Sequence, residues 1–228
     1  MKFRKGWYVP FEDFFSQLPN DENIEDFGKE ARLMALDFCK QKRSVIDVGA
    51  HIGISVNHWA SNFNYVYAFE PLQDHYDCLL RNTSKLENLK TFCFAAGNFD
   101  GTTQGAYRSL KNSGSFQMLD ENYTQPKAEN KVRKLVDIYV RKLDSFTFDH
   151  VDLIKIDVEG WEYEVIEGAV ETIKKHKPVL MIEVLEDHPN KTLRSSYDFS
   201  KINRILAELN YKEAAHIKPD DKIFIPNE

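Results

Sequence analysis

One short segment constrains the fold of this chain more than any other: a buried strand that runs into two closely spaced glycines and then into a helix. The segment VIDVGAHIGISVNHWA covers residues 45–60. Apolar residues lead up to Gly49, and a second apolar repeat, with helical spacing, begins at Ile52. This change of period predicts a strand, a turn and an amphipathic helix. Small residues in the turn indicate that backbone or a ligand approaches it closely.

Strand and helix patterns alternate through most of the remaining chain. Each helix gives the chain enough length to cross back over the sheet, so neighbouring strands are expected to be parallel. The pattern therefore predicts the α/β class, with a mostly parallel, doubly wound sheet. The predicted elements are strand 44–49, helix 53–62, strand 65–70, helix 72–84, strand 91–96, strand 152–158, helix 161–175, strand 179–185, helix 199–209 and a closing antiparallel strand pair at 211–217 and 222–225.

Two regions lie outside this alternation. Residues 1–43 are predicted to form a helical lid or flank, with a helix over 24–40, on a main domain that spans 44–228. The stretch 98–131 is rich in Gly, Ser, Asn, Thr and Gln, and its length predicts a hairpin followed by a substrate-facing loop. A further strand is expected within 132–143.

Composition narrows the class of protein without indicating a reaction. A chain of 228 residues with 42% hydrophobic residues suits one globular domain. A net charge of -6 gives no general attraction to nucleic acid or anionic lipid, and no window approaches the roughly 18 apolar residues of a membrane span. We therefore expect a cytoplasmic protein with no nucleic-acid or membrane partner, whose cysteines are reduced core residues. No motif specifies an oligomeric state.

The glycine turn and an acidic residue after the next strand predict a nucleoside-binding site. Glu70 ends that strand, where a carboxylate can accept hydrogen bonds from both hydroxyls of a ribose. A dinucleotide turn counted from Gly49 needs glycines at the positions of His51 and Ile54. Because an imidazole would crowd a pyrophosphate, the turn favours phosphate-free S-adenosylmethionine over NAD. Backbone groups beside Gly49 and Ala50 would then hold its amino-acid end. Glycines that serve only close packing are the alternative.

Alternating charges mark a second candidate site, on the strand predicted for 152–158. Lys155, Asp157 and Glu159 would share one side of this strand. On a central strand that side is covered, and unpaired charges there would be costly. The group is therefore a candidate site, and a solvated edge strand is the alternative. Asp157 would lie beside the reactive methyl group, Glu159 would orient or deprotonate the acceptor, and Lys155 would keep the carboxylates ionised.

Further side chains at the next strand end extend this candidate site. Glu183 ends the strand predicted for 179–185 and is followed by Glu186, Asp187 and His188. With Asp157 they would offer oxygen ligands for Mg²⁺, although bracing of the site is the simpler role for Glu183. Four further histidines show no partner pattern in the sequence and are expected at the surface or at helix ends: His58, His75, His150 and His176.

Four stretches of the chain resemble, in this order, the FkbM family of S-adenosylmethionine-dependent methyltransferases: VIDVGAHIG, VYAFEP, KLDSF and DLIKIDVEGWEYEVIEGA. The similarity spans about residues 44–184, and the KIDVEG.E run is its most specific part. It implies a Rossmann-like class I methyltransferase fold and, commonly, methylation of a hydroxyl on a sugar or natural product. Two positions depart from the family: His51 stands where Asn is frequent, and Asn98 where Asp is frequent.

Together these patterns predict an S-adenosylmethionine-dependent O-methyltransferase that acts on a carbohydrate or a glycosylated small molecule. An NAD-dependent oxidoreductase or epimerase and a non-catalytic nucleoside-binding protein are the alternatives. The residues predicted to hold the cofactor are Asp47, Gly49, Ala50, His51, Gly53, Glu70, Asn98 and Asp157, with Asp47 binding the ammonium group or bracing the loop. The residues predicted to act in catalysis are Lys155, Asp157, Glu159 and Glu183.

Overall fold

Strands and helices alternate in the computed structural model, which describes residues 1–11, 13–17, 22–109, 112–119, 135–184, 198–217 and 220–227. The strands in these ranges are β1 (Lys2–Arg4), β2 (Trp7–Val9), β3 (Ser44–Val48), β4 (Tyr65–Phe69), β5 (Leu89–Phe92), β6 (Ala95–Ala96), β7 (Gly101–Ser109), β8 (Asn112–Met118), β9 (Leu135–Arg141), β10 (Leu153–Ile156), β11 (Val179–Glu183), β12 (Tyr211–Ile217) and β13 (Asp221–Pro226). The α-helices are α1 (Lys29–Phe38), α2 (Ile54–Ala60), α3 (Gln73–Asn82), α4 (Glu162–Glu167), α5 (Val170–His176) and α6 (Phe199–Glu208).

The main sheet confirms the predicted α/β class. Its described strands lie in the order β12-β13-β11-β10-β3-β4-β5. The pairs from β5 to β11 are parallel, whereas β13 is antiparallel to both β11 and β12. The closing strand pair is therefore antiparallel as predicted, with β13 reversed between two strands of the common direction. The chain order reverses between β3 and β10, and open α/β sheets bind ligands at such a switch point.

A second sheet includes the first half of the segment 98–131, for which the sequence predicts a hairpin. Its described strands lie in the order β6-β9-β7-β8. The antiparallel pairing of β7 with β8 confirms the predicted hairpin, and β9 lies inside the range predicted for a further strand. The substrate-facing loop expected after the hairpin cannot be assessed, because residues 120–134 lie outside the described ranges.

Apolar side chains cover both faces of the main sheet. Successive residues of β3 point to opposite sides: Val45 packs in a cluster with α1 and α2, and Ile46 packs in a cluster with α4, α5 and α6. Both side chains have no exposed surface. This two-sided burial explains why β3 is a short apolar run rather than an alternating strand. No helix in the described ranges is long and apolar enough to cross a membrane.

Three predicted elements have different boundaries in the structure. The helix expected over 24–40 begins only at Lys29, because Gly28 has a φ of 65° and a 3₁₀ turn precedes it. The strand expected over 91–96 divides, since β5 pairs in the main sheet and β6 pairs with β9 in the second sheet. The helix expected over 161–175 also divides, into α4 and α5. Its break lies near Gly168, where an added Cβ would be 1.8 Å from the carbonyl oxygen of Gly97.

Candidate active site

A cavity of about 710 Å³ lies at the carboxyl ends of the parallel strands. Its volume is within the range of about 300–1,000 Å³ that is usual for small-molecule sites. One part of its wall, called the Glu70 end here, contains His51, Glu70 and His75. The acidic end contains Asp157, Glu159, Glu183 and Asp221. Apolar wall residues include Phe69, Ala95, Ala96, Phe116, Met118 and Met181.

Each of the two glycines in the turn lies in close contact with another part of the protein. Gly49 has a φ of 79°, and an added Cβ would lie 1.8 Å from the carbonyl oxygen of Asp157. Gly53 has a φ of 93°, and its Cβ would lie 2.8 Å from Cδ1 of Leu79 on α3. Gly49 lines the cavity, whereas Gly53 does not. Packing against α3 accounts for this glycine, and a contact of Gly53 with the cofactor stays a prediction.

The backbone N–H groups of the turn are already occupied. Those of Gly49 and Ala50 both donate to the carbonyl oxygen of Phe69, each at 3.0 Å. These two N–H groups therefore have partners within the protein, and the predicted contact of the turn's backbone with the amino-acid end of a cofactor stays a prediction. Both residues still line the cavity, and the carbonyl oxygen of Gly49 accepts a hydrogen bond from Lys155 Nζ at 2.7 Å.

Lys155 joins the strand ends of β3 and β10. Its Nζ lies 3.2 Å from Oδ1 of Asp47 and 3.2 Å from Oδ2 of Asp157. Burial opposes the ammonium charge, but Asp157 and Asp47 together raise the pKa of Lys155 above its ordinary value. The paired charges on a central strand match the prediction from alternation, while β10 itself ends at Ile156.

Asp47 supports the turn from below the cavity. Its side chain is fully buried, accepts a hydrogen bond from Trp59 Nε1 at 3.0 Å and does not line the cavity. Burial raises the pKa of Asp47, and Lys155 opposes that shift. Of the two roles open to Asp47, this geometry favours bracing of the loop over contact with the cofactor ammonium.

Glu70 is held by several hydrogen-bond donors at the cavity wall. Its Oε2 accepts from the backbone N–H of His51 at 2.9 Å, and its Oε1 accepts from that of Leu72 at 3.0 Å. His75 Nδ1 lies 3.4 Å from Oε1. Burial opposes the carboxylate charge, but the contacts with His75, His51 and Leu72 hold the pKa of Glu70 below its ordinary value. The carboxylate is therefore fixed in its ionised form.

Two histidines lie beside this carboxylate, and an aspartate lies near one of their rings. The ring centroids of His51 and His75 lie 4.2 Å apart at 80°, and His51 Nε2 lies 4.0 Å from Oδ2 of Asp13. Burial, together with His75, lowers the pKa of His51 to about 4, so this ring is neutral at neutral pH. His75 is only 2% exposed. It is therefore not at the surface, but it lies in the first turn of α3, which confirms the alternative of a helix end.

Carboxylates crowd together at the acidic end. Oxygens of Asp157, Glu159 and Glu183 lie within 4.8 Å of one another, and Asp221 stands opposite Glu183 in the β11–β13 pairing. Burial and then the charges of Asp157 and Glu159 raise the pKa of Glu183 well above its ordinary value. Burial, with Asp157, raises the pKa of Asp221 to about 7. The carboxyl groups of Glu183 and Asp221 at the acidic end therefore hold their protons to a higher pH than isolated carboxyl groups do.

The loop after β10 is stabilised by Glu162, which is not among the predicted site residues. Glu162 is fully buried, and its Oε1 accepts a hydrogen bond from the backbone N–H of Gly160 at 2.8 Å. Burial raises the pKa of Glu162 to about 7. Glu159 in this loop has a φ of 57°, a conformation that non-glycine residues adopt only when their surroundings hold it. The sequence signal that could have identified Glu162 is its place as the last Glu of the KIDVEG.E run.

Other predicted site residues lie away from the cavity or outside the described ranges. Asn98 does not line the cavity, and its amide donates to Oε2 of Glu167 at 2.6 Å. Its hydrogen-bond partner is thus on α4, and the cofactor contact expected for Asn98 stays a prediction. The proposed ligands Glu186, Asp187 and His188 fall in 185–197, which is outside the described ranges.

Several wall residues come from segments that the sequence did not predict to line the site. Arg32 on α1 is 3% exposed and donates to the backbone carbonyl of Glu25 at 2.8 Å. Asp220 and Asp221 arrive from the hairpin between β12 and β13. Asp220 precedes β13 and Asp221 begins it, and nothing in the sequence spacing brings them next to Glu183.

The chain also matches a known family over most of its length. The model of the methyltransferase FkbM domain matches residues 47–213, which contain Gly49, Glu70 and the acidic residues of β10 and β11. The chain belongs to the FkbM methyltransferase family. Family membership disfavours the alternative of an NAD-dependent oxidoreductase. Among curated proteins, no sequence matches this FkbM chain significantly.

Solved structures agree with the class I methyltransferase fold of this FkbM chain. Methyltransferase FkbM from Methylobacillus flagellatus KT is 19% identical with a TM-score of 0.53; the match covers 81% of this chain but only 43% of that protein. A SAM dependent methyltransferase from Aquifex aeolicus is 14% identical with a TM-score of 0.51, over 92% and 95% of the two chains. The fibrillarin pre-rRNA processing protein of Methanococcus jannaschii is 15% identical with a TM-score of 0.50, over 89% and 76%.

Proposed function

We propose that this FkbM chain transfers a methyl group from S-adenosylmethionine to a hydroxyl of a carbohydrate or a glycosylated small molecule. The observation that carries the proposal is one cavity of about 710 Å³ that contains both Glu70 and the acidic end. Cofactor and acceptor would therefore meet in a single space. The cavity lies at the strand switch point, where this class of sheet binds its ligands.

The Glu70 end suits the adenosyl part of the cofactor. A carboxylate has about four lone-pair sites, and Glu70 has three donors around it, so it retains capacity for a ribose hydroxyl. Alanine and aromatic side chains continue the wall from there, with Ala95 and Phe116 among them. An apolar wall beside a fixed acceptor is the environment that adenine and ribose require together.

The acidic end suits the transferring methyl group. The sulfonium of the cofactor is cationic, and Asp157 lines the cavity as a carboxylate paired with Lys155. Alignment of the acceptor oxygen, the methyl carbon and the sulfur can contribute about 7–11 kcal/mol, against about 3–5 kcal/mol for a general base. Positioning would therefore dominate the rate, and the loop over 157–161, which Glu162 holds through Gly160, would supply it.

The proton of the acceptor hydroxyl has a receiver in this arrangement. As the oxygen forms its bond to the methyl carbon, the C–S bond breaks and its electron pair stays on sulfur, which becomes a neutral thioether. The hydroxyl proton passes to a carboxylate. Glu183 suits this role because its raised pKa favours uptake of a proton. Glu159 beside it would orient the hydroxyl.

The chemistry of the wall favours an acceptor rich in hydroxyl groups. Carboxylates accept hydrogen bonds from hydroxyls, and Glu159, Asp220 and Asp221 all line this end. Phe14 and Trp161 add aromatic surface to the same cavity, and a sugar offers both hydroxyls and an apolar ring face.

Magnesium would have a plausible set of ligands at the acidic end. Asp157, Glu159 and Glu183 supply the carboxylate oxygens that Mg²⁺ prefers. Bound there, the ion would polarise the acceptor hydroxyl as a Lewis acid. Lys155 already pairs with Asp157, so the chain's own cation partly compensates the same charge. A site that uses Mg²⁺ would lose activity in the presence of a chelator, whereas a site that relies on Lys155 alone would keep it.

Mass spectrometry of an acceptor pool tests the proposed function. The protein is incubated with isotopically labelled S-adenosylmethionine and a panel of sugars and glycosides, with EDTA or Mg²⁺ in parallel samples. We expect labelled products that have gained one methyl group on oxygen. Cofactor binding without transfer to any acceptor would contradict the proposal and support a non-catalytic nucleoside-binding protein. Loss of product with EDTA and its recovery with Mg²⁺ would assign the ion a role.

A further inference from the structure

We infer that Asp13, His51 and His75 form a binding site for one divalent transition-metal ion beside the cofactor pocket. A carboxylate oxygen of Asp13 and one nitrogen of each imidazole lie within 4.8 Å of one another. Asp13 is 1% exposed and His75 is 2% exposed. The three residues come from separate parts of the chain: the N-terminal segment, the glycine turn and α3.

Unsatisfied nitrogen atoms point to a ligand in this cluster. Among the described residues, Nε2 of His51 and Nε2 of His75 have no hydrogen-bond partner although both atoms are buried. The nearest carboxylate oxygen to the first, Oδ2 of Asp13, is 4.0 Å away, which is too long for a hydrogen bond. Buried polar atoms are nearly always satisfied. An ion among these groups would satisfy both nitrogens at once.

Glu70 orients His75 for coordination. It lies 3.4 Å from Nδ1 of the ring, so the proton of a neutral His75 belongs on Nδ1 and the lone pair on Nε2. A carboxylate behind a histidine is the usual support of a metal ligand. Backbone N–H groups of His51 and Leu72 hold Glu70 in turn. Asp13 is held similarly, since its Oδ1 accepts from the backbone N–H of Phe15 at 2.9 Å.

The ligand types select the class of ion. Two imidazole nitrogens and one carboxylate oxygen suit Zn²⁺, Co²⁺ or Ni²⁺, whereas Mg²⁺ prefers oxygen ligands alone. The acidic cluster of Asp157, Glu159 and Glu183 is the oxygen-only counterpart elsewhere in the same cavity. We therefore expect the two clusters to bind different ions. The site inferred here does not depend on the methyl-transfer proposal.

Such an ion would tie the N-terminal segment to the cofactor turn. Phe14 and Phe15, next to Asp13, line the cavity, and Phe15 has its ring 5.6 Å from that of His51. Coordination by Asp13 and His51 would fix these aromatic rings over the Glu70 end. The ion would stabilise the folded protein by mass action, because the unfolded chain does not hold the three ligands together.

Cobalt titration of the full chain tests the site without any methyl transfer. Binding is followed by calorimetry and by the visible absorption of coordinated Co²⁺, and melting curves are recorded with and without the ion. We expect one Co²⁺ per chain and a higher melting temperature. His75→Asn retains an N–H donor toward Glu70 but removes Nε2, and should weaken binding at least about 10-fold.

Matched variants decide which cluster holds the ion. His216→Ala removes an exposed histidine and Glu183→Gln alters the acidic end; both should bind Co²⁺ like the wild type. If His75→Asn does not fold, Asp13→Asn gives the same test and should show the same loss. The inference is overturned if the wild type binds no Co²⁺, if the cluster variants bind it unchanged, or if Glu183→Gln abolishes binding.

Discussion

The Glu70 end and the acidic end of the cavity both bury carboxylates, but under opposite electrostatic conditions. Around Glu70 the neighbours are donors: two backbone N–H groups and the Nδ1 of His75. Around Glu183 the neighbours are other carboxylates, namely Asp157 and Glu159. The pKa of Glu70 is accordingly lowered, whereas that of Glu183 is raised well above its ordinary value.

This contrast separates two tasks that one cavity must perform. A carboxylate that stays ionised and immobile is a dependable hydrogen-bond acceptor for a ribose. A carboxylate with a raised pKa exchanges a proton more readily, as a general base requires. We therefore expect changes at Glu70 to act on cofactor affinity and changes at Glu183 to act on turnover.

Gly49 packs against the backbone of Asp157, where the ends of two strands meet. Its replacement should have the largest effect on the stability of the protein. In Gly49→Ala the Cβ would meet the backbone carbonyl of Asp157 at 1.8 Å, so the strand ends must separate. The free energy of unfolding should fall by more than about 3 kcal/mol, because backbone strain and a backbone clash add. Denaturant unfolding measures this loss.

Gly6→Ala is the matched control for that substitution. Gly6 also has a positive φ, of 86°, but its Cβ would meet nothing within 4 Å among the described residues. It should therefore lose only about 1–2 kcal/mol from backbone strain. Equal losses for the two variants would show that the contact between Gly49 and Asp157 does not hold the ends together.

Next in size is the effect of Glu183→Gln on turnover. With cofactor and acceptor saturating, kcat should fall about 10²–10⁴-fold, because an amide cannot take the hydroxyl proton. Wild-type kcat should rise with pH through the raised pKa of Glu183, since the ionised form is the base, and the variant should lose this rise. Measured pH–rate profiles check both points.

Glu159→Gln sharpens the distinction within the acidic end. We expect a smaller fall in kcat than for Glu183→Gln and a retained rise with pH, because Glu159 orients the hydroxyl in this account. An unchanged kcat in Glu183→Gln, or a lost pH dependence in Glu159→Gln alone, would exchange the roles of the two residues.

The sequence predicted the alternation of elements well but not their exact limits. Helical periodicity continues through Gly168, yet α4 and α5 are separate, because Gly168 meets the backbone of Gly97. That contact joins residues distant in the chain, and no local pattern contains it. The start of α1 differs from the predicted start for a local reason, because Gly28 has a positive φ. The glycine at this position was a sequence signal for that conformation.

Within the site, the sequence identified residues at strand ends and missed those supplied by other segments. Glu70 and the pairing of Lys155 with Asp157 followed from strand position and alternation. Asp13 and His75 did not, because they reach the same cavity from the N-terminal segment and α3. Asp47, placed correctly beside the turn, has a buried role that only the contact with Trp59 reveals.

Calorimetric titration with S-adenosylmethionine most directly tests the claim that Glu70 acts in cofactor binding and Glu183 in turnover. Glu70→Gln should weaken cofactor binding about 10–100-fold, the range for a lost hydrogen bond to a charged group, while Glu183→Gln should bind the cofactor like the wild type. Melting curves confirm that each variant is folded. Wild-type affinity in folded Glu70→Gln, or an equal loss in Glu183→Gln, would contradict the account.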